Sequence, residues 1–261
     1  MDESQILDVA LLAARAATSR LLHHLGSAKV QFKGDITQDL VTEADVDAEA
    51  TVLRVINDAF PDHDVLGEEG LGAGDLSAEN LWVIDPLDGT TNYAQGIPHF
   101  CTAISYVCGG EVQVGVVHDP MRDELFQAVR GQGAFLNGEA IHVSRRNEMN
   151  SAVIATGFYY DRGEMMRRTL ASIDALFQQN VRGIRRLGSA ALDQCWVACG
   201  RMDGFFEYQL SPWDYAAASL IVEEAGGRCA DRNGDPLRLE SGNLLVSNQL
   251  LFDDILAAVR W

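Results

Sequence analysis

One twelve-residue stretch constrains this chain more than any other. Leu81-Trp82-Val83-Ile84 is a short apolar run, and it ends in Asp85-Pro86-Leu87-Asp88-Gly89-Thr90-Thr91-Asn92. The pattern predicts a strand that delivers its C-terminal end into a loop. Two carboxylates three positions apart then meet a Gly-Thr step that opens a short helix. Pro86 fixes φ and supplies no N–H. Gly89 lets the backbone come close to a ligand, and the N–H groups of Gly89, Thr90 and Thr91 are unpaired donors at a helix start, where phosphate fits. Acids beside an anion-binding backbone conflict unless metal cations bridge them. Hard oxygen ligands without His or Cys suit Mg²⁺ rather than zinc. A turn with an acidic surface is the alternative, but so many residues of particular chemistry in one short loop are hard to explain as packing.

The overall charge sharpens this conflict. Lys and Arg total 20 against 38 Asp and Glu, a net charge of −18. Such a field repels a nucleic-acid backbone, so direct nucleic-acid binding is not expected. A small anionic substrate meets the same field unless cations stand between it and the protein. Apolar residues at 47% and charged residues at 22% exclude disordered and coiled-coil classes. No apolar run approaches the ~18 residues of a membrane span. The opening MDESQILDVA has acids where a signal peptide needs Lys or Arg. Cys101, Cys108, Cys195, Cys199 and Cys229 form no CxxC pair and lie in apolar surroundings. They read as reduced core residues of a cytoplasmic protein. The six histidines lack ligand spacing and read as structural or surface residues.

Apolar spacing predicts a first helix through Ile6, Ala10, Ala14, Leu21 and Leu25, stopped by Gly26. A loop with Lys33, Gly34 and Asp39 follows. A second helix starts at Thr42 as N-cap, with Asp45 at N3, and stops at Pro61. Strands are expected at 102–106, 112–118 and 124–129, with Asn137-Gly138 as a hairpin turn. Beyond about residue 150 strands and helices alternate. Helices are expected at 164–179, 190–199 and from Pro212 to Ala225, strands at 153–156, 204–208 and 244–247, and a last helix at 251–259. No Pro-, Ser- or Gly-rich linker separates the two halves.

Three further sets of acids invite attention, and each has a plain reading. Glu68-Glu69 follow the apolar Val65-Leu66-Gly67, but alone such a pair is more often a solvated face than a ligand. Asp45 and Asp214 each sit three residues after a helix N-cap, where a carboxylate favours the helix start without any further role.

Taken together these segments resemble the inositol monophosphatase family. The resemblance is carried by Gly67-Glu68-Glu69, by Trp82 through Asn92, by Trp213-Asp214-Tyr215-Ala216-Ala217 with Glu224-Ala225-Gly226-Gly227, and by Asp39-Leu40-Val41-Thr42 with Asp45. It runs essentially end to end. Asp119 through Gly138 and Arg185 through Glu207 look closest to the bacterial branch, one member of which doubles as a ribosomal-RNA transcription antitermination factor.

The resemblance implies an α/β fold, a five-layered αβαβα sandwich forming one domain over residues 1–261, divided roughly into 1–150 and 151–261. It also implies Mg²⁺-dependent hydrolysis of a phosphate monoester, with two or, more weakly, three ions per subunit. Glu68, Asp85 and the Leu87 carbonyl are the expected ligands of the first ion. Asp85, Asp88 and Asp214 are those of the second. Thr90 and Glu68 are expected to orient the attacking water, with Asp45 hydrogen-bonded to Thr90, and the Gly89 and Thr90 amides to hold phosphate. Arg185, Gly188, Ser189, Ala190 and Glu207 match positions around the alcohol, whereas Arg186 is left to a subunit contact or solvent. Ser211 stands where some members carry His near the inositol ring. The expected substrate is myo-inositol monophosphate, with fructose-1,6-bisphosphate, histidinol phosphate and adenosine 3′,5′-bisphosphate as alternatives. A homodimer is expected by analogy, and docking on a transcription-complex protein is the alternative of another class.

Overall fold

The computed structural model describes residues 3–27, 30–32, 40–72, 74–160 and 162–260. Lys33, Gly34 and Asp39 lie outside the described residues.

Two long helices come first. α1 (Glu3–His24) and α2 (Glu43–Ala59) are joined through the short pair β1 (Val30–Phe32) and β2 (Leu40–Thr42). The buried face of α1 is built largely from alanine, Ala10, Ala13, Ala14 and Ala17, and meets Ala44 and Ala48 beside Val52 and Ile56 on α2. Small side chains let the two helices pack closely on each other and on the sheet beneath. Thr42 caps α2. Its hydroxyl oxygen accepts from the Ala44 amide at 3.1 Å, and the Asp45 carboxylate accepts from the Thr42 amide at 2.9 Å.

That sheet has seven strands in the order β3-β4-β5-β6-β7-β8-β9. They are β3 (Asp64–Gly67), β4 (Asn80–Asp88), β5 (Cys101–Cys108), β6 (Glu111–Asp119), β7 (Glu124–Val129), β8 (Ala134–Leu136) and β9 (Glu139–Ala140). The short helix α3 (Thr90–Gln95) follows β4. Among the described strands of this sheet only β3 pairs parallel to its neighbour. The turn between β8 and β9 is Asn137-Gly138, both with positive φ, as a tight hairpin requires.

The second sheet has the order β11-β10-β12-β14-β13. Its strands are β10 (Val153–Thr156), β11 (Gly183–Arg185), β12 (Gly204–Leu210), β13 (Gly227–Ala230) and β14 (Gly242–Asn248). α5 (Ala190–Ala198) and α6 (Pro212–Glu224) lie between the sheets and touch both. α4 (Glu164–Gln178) and α7 (Phe252–Val259) cover the outer face of the smaller sheet. The layers are therefore α, β, α, β, α, the sandwich expected from the sequence. At Gly115 in β6 a Cβ would lie 2.4 Å from the Ala217 carbonyl oxygen, so glycine is what lets α6 rest directly on the larger sheet.

One boundary differs from the expected loop. β4 does not end at Ile84 but runs on to Asp88, paired Asp85 to Ala103 and Asp88 to Cys101, with an irregularity between. Its parallel partner β3 ends opposite Ile84. Pro86 thus sits where β4 has become an edge strand, the place in a sheet that tolerates a residue without an N–H. The irregularity lets Asp85 and Asp88 both line one cavity.

Candidate active site

A cavity of about 360 Å³ opens at the ends of β3, β4 and β12 and the N-termini of α3, α5 and α6. Glu68, Asp85, Asp88 and Asp214 all line it, although they stand as much as 146 positions apart. Leu87, Gly89 and Thr90 complete that wall, and Gly188, Ser189, Ala190 and Glu207 form the facing one.

Two acids of the first wall are anchored by near neighbours. Asp85 accepts from the Leu87 amide at 3.0 Å. Asp214, at N3 of α6, accepts from the Ser211 amide at 2.7 Å. The single Thr90 hydroxyl proton is shared between two acceptors, the Leu87 carbonyl at 3.1 Å and Asp45 at 3.2 Å. Asp45 itself is fully buried and does not line the cavity; it stands behind Thr90.

Asp88 is held differently. It accepts from the Ser189 hydroxyl at 2.6 Å and from the Ala191 and Ala190 amides at 2.7 and 3.2 Å. A carboxylate at a helix N-terminus meets both unpaired N–H groups and the positive end of the helix dipole.

The electrostatics are those of acids gathered without a counter-charge. Burial, then Glu68, Asp88 and Asp214, push the Asp85 carboxyl well above the usual carboxylate range. Burial, then Glu68 and Asp88, do the same to Asp214. Burial also raises Asp88 against the opposing hydrogen bonds from α5. Burial takes Asp45 to about 6 despite its bonds from Thr42. On the facing wall, burial brings Glu207 to about 8, opposed by Arg186.

Among the described residues no three His, Cys, Asp or Glu side chains close round one point as a finished metal cage. The acids line an open wall, and Asp88 is drawn toward α5. Four carboxylates and a backbone carbonyl nevertheless make an all-oxygen donor set, and the mutual repulsion raising Asp85 and Asp214 is what a divalent cation relieves. The residues present therefore fit Mg²⁺.

Arg185 and Arg186 are placed the other way round from the sequence expectation. Arg185 is exposed, does not line the cavity, and donates to the Ile184 carbonyl at 2.9 Å. Arg186 is exposed as well, but it does line the cavity. Adjacent residues of an extended segment point to opposite sides, so a one-residue difference exchanges their surroundings. Ser211 lines the cavity as well.

Other features escaped the sequence. Asn92 donates to the His99 carbonyl at 2.7 Å and to the Leu187 carbonyl at 2.8 Å. The His99 ring meets Asp193 of α5 at 3.1 Å, both buried. Burial raises Asp193 to about 6, against the bond from His99. Tyr159 and Tyr160 line the mouth. Asn92 is the last residue of the acidic motif, though its tie to Leu187 is not legible there, and Asp193 lies one helical turn beyond Ser189.

The comparisons agree along the whole chain. A model of the inositol monophosphatase family matches residues 2–261. A relative named Nus factor SuhB from Pseudomonas aeruginosa is 41% identical over 263 residues, covering 98% of this chain and 96% of its own. The structure of an inositol monophosphatase from Anabaena (Nostoc) superposes with a TM-score of 0.88 at 40% identity, over 99% of this chain and 96% of that one. An IMPase/NADP phosphatase solved with Mg²⁺ and phosphate gives 0.82 at 25% identity, over 92% and 90%. With a matching fold, a matching sequence and the acids gathered at one cavity, the chain belongs to the inositol monophosphatase family.

Proposed function

We propose that the chain is a Mg²⁺-dependent phosphomonoesterase that hydrolyses myo-inositol monophosphate to inositol and phosphate. The observation that carries this reading is the set Glu68, Asp85, Asp88 and Asp214 on one cavity wall beside the Thr90–Asp45 hydrogen bond. Glu68, Asp85 and the Leu87 carbonyl would hold one ion, and Asp85, Asp88 and Asp214 another. When bound, divalent cations neutralise phosphate oxygens, lower the pKa of water and stabilise a leaving alkoxide.

The chain's own residues supply orientation. Thr90 passes its proton toward Asp45, which leaves its oxygen lone pairs free to accept from a water also held by Glu68. Backbone amides of Gly89 and Thr90 face the phosphate oxygens. Glu207 hydrogen-bonds the hydroxyls of a polyol, as donor when protonated and as acceptor when ionised, with the Arg186 guanidinium opposing the rise of its pKa. Water attacks phosphorus directly and the alcohol leaves, so no covalent enzyme intermediate forms.

A panel of phosphate monoesters assayed for phosphate release over several Mg²⁺ concentrations tests this reading. Inositol monophosphate is expected to lead, and activity to vanish with chelator. Preference for histidinol phosphate or adenosine 3′,5′-bisphosphate by orders of magnitude overturns the substrate, and undiminished release in chelator overturns the mechanism.

A second reading is favoured by the relatives named Nus factor SuhB. On that reading the chain, as a homodimer in the cytoplasm, also docks on a basic protein surface of a transcription complex, for which its net charge of −18 is suited. Capture of transcription proteins by wild-type chain and equally by Asp85→Asn supports it; capture by neither removes it. No helix among the described residues is long and apolar enough to cross a membrane.

A further inference from the structure

Behind Glu68-Glu69 lies another acid, Glu49, which none of these roles uses. It projects from α2 and is fully buried. Its two oxygens are taken up separately. Oε2 accepts from the Glu69 amide at 2.7 Å, and Oε1 accepts from the Leu71 amide at 2.8 Å. A buried carboxylate is tolerated when its lone pairs meet donors, and here both donors come from the backbone of one loop, 20 and 22 positions further on.

Gly67 supplies the space. A Cβ there would lie 2.5 Å from both Cδ and Oε1 of Glu49. Gly67 is not among the residues with positive φ, so its backbone would accept any side chain; the room it leaves for Glu49 is what requires glycine. Glu68 is therefore flanked on both sides by contacts to one carboxylate, Gly67 before it and the Glu69 amide after it. Its own amide donates to the Ile84 carbonyl at 3.3 Å.

We propose that Glu49 is a positioning residue of the cation site: its carboxylate gathers the 67–71 loop so that Glu68 faces Asp85 and Asp214. The inference rests on the divalent-cation reading above. Groups that orient a metal's ligands commonly contribute about 10- to 100-fold in affinity or activity. A residue that merely stabilised the loop would lower the melting temperature and leave cation affinity alone.

Calorimetric titration with MgCl₂, and hydrogen exchange of the 67–72 amides without Mg²⁺, test it on the full chain. Glu49→Ala is expected to weaken Mg²⁺ binding about tenfold and to speed exchange of the Glu69 and Leu71 amides. Glu49→Gln keeps one acceptor but turns its NH₂ toward the other amide, so it falls between. Gly67→Ala forces the carboxylate aside and is expected to weaken binding about as much as Glu49→Ala. In the double variant Glu49→Ala/Gly67→Ala the Cβ enters vacated space, so the two losses do not add. Asp85→Asn, which should abolish binding, separates the two ideas. If Glu49→Ala and Gly67→Ala bind Mg²⁺ within twofold of wild type while Asp85→Asn does not bind, the positioning role is overturned and the cation reading stands. If Asp85→Asn binds like wild type, the cation reading falls and takes the positioning role with it. Should Glu49→Ala fail to fold, Glu49→Gln and Gly67→Ala decide the matter.

Discussion

The two walls of the cavity are held in different ways. On the first, several anchors are local: Asp85 to Leu87, Thr90 to Leu87 and Asp214 to Ser211 span two or three positions each, as does Asp45 to Thr42 just behind it. Where the two walls meet, the anchors are remote: Asp88 to Ser189 spans 101 positions, Asn92 to Leu187 spans 95 and His99 to Asp193 spans 94. The acids Asp85 and Asp214 are thus fixed within short motifs, whereas Asp88, the Thr90–Asp45 pair and the region facing the proposed alcohol take shape only once distant segments meet. Chemistry common to a family can stay in the first wall while the second varies with little effect on it.

The largest effect expected on this contrast comes from the first wall. Asp85→Asn should lower turnover by about a thousandfold or more while circular dichroism stays that of the folded chain. Normal Mg²⁺-dependent activity in that variant would break the assignment. On the second wall, Arg186→Ala should cut kcat/KM for inositol monophosphate by about tenfold, the scale of one charge-assisted hydrogen bond. Arg185→Ala should change it less than twofold, and the reverse ranking would return Arg185 to the cavity.

Ser189→Ala sharpens the contrast where the walls meet. It removes the hydroxyl that donates to Asp88 and accepts from the Leu192 amide. Mg²⁺ activation should need about tenfold more cation, and the loss of the cap should cost about 1 kcal/mol in denaturant unfolding. An unchanged Mg²⁺ requirement would mean that α5 does not govern Asp88.

The smallest effect concerns stability and pH. Burial and neighbouring acids raise the folded-state pKa of Asp85 and Asp214 above that of the unfolded chain. Protonation therefore favours the folded state. The stability this gives is fully present below the unfolded value near pH 4 and is lost as pH rises through the folded values, with Asp45 titrating at about 6. In chelator, the melting temperature of the wild type should fall between pH 4.5 and 8, and Asp85→Asn should be the more stable protein at pH 8 but not at pH 4.5. Mg²⁺ should restore the wild type at pH 8 and not Asp85→Asn. A wild type unaffected by Mg²⁺ would contradict the strained acid cluster.

What the sequence made legible follows the same division. Thr42 with Asp45 and Ser211 with Asp214 announce themselves as helix starts, and the apolar run into Asp85 announces a strand end. These signals are local, so they survive without coordinates. The short strands β8, β9, β11 and β13 carry too few residues for a periodic pattern. Arg185 and Arg186 were exchanged because the facing direction of an extended segment turns over at every residue. Glu49 reads as one more charge on a helix; only the fold shows that it is fully buried and bound by a loop from another element.

The most direct test is diffraction from crystals grown with Mn²⁺, read by its anomalous signal. The account predicts Mn²⁺ peaks within bonding distance of Glu68, Asp85, Asp88 and Asp214, with Asp85 touching more than one. Peaks elsewhere, or none in saturating Mn²⁺ with those four carboxylates left unbound, would contradict it.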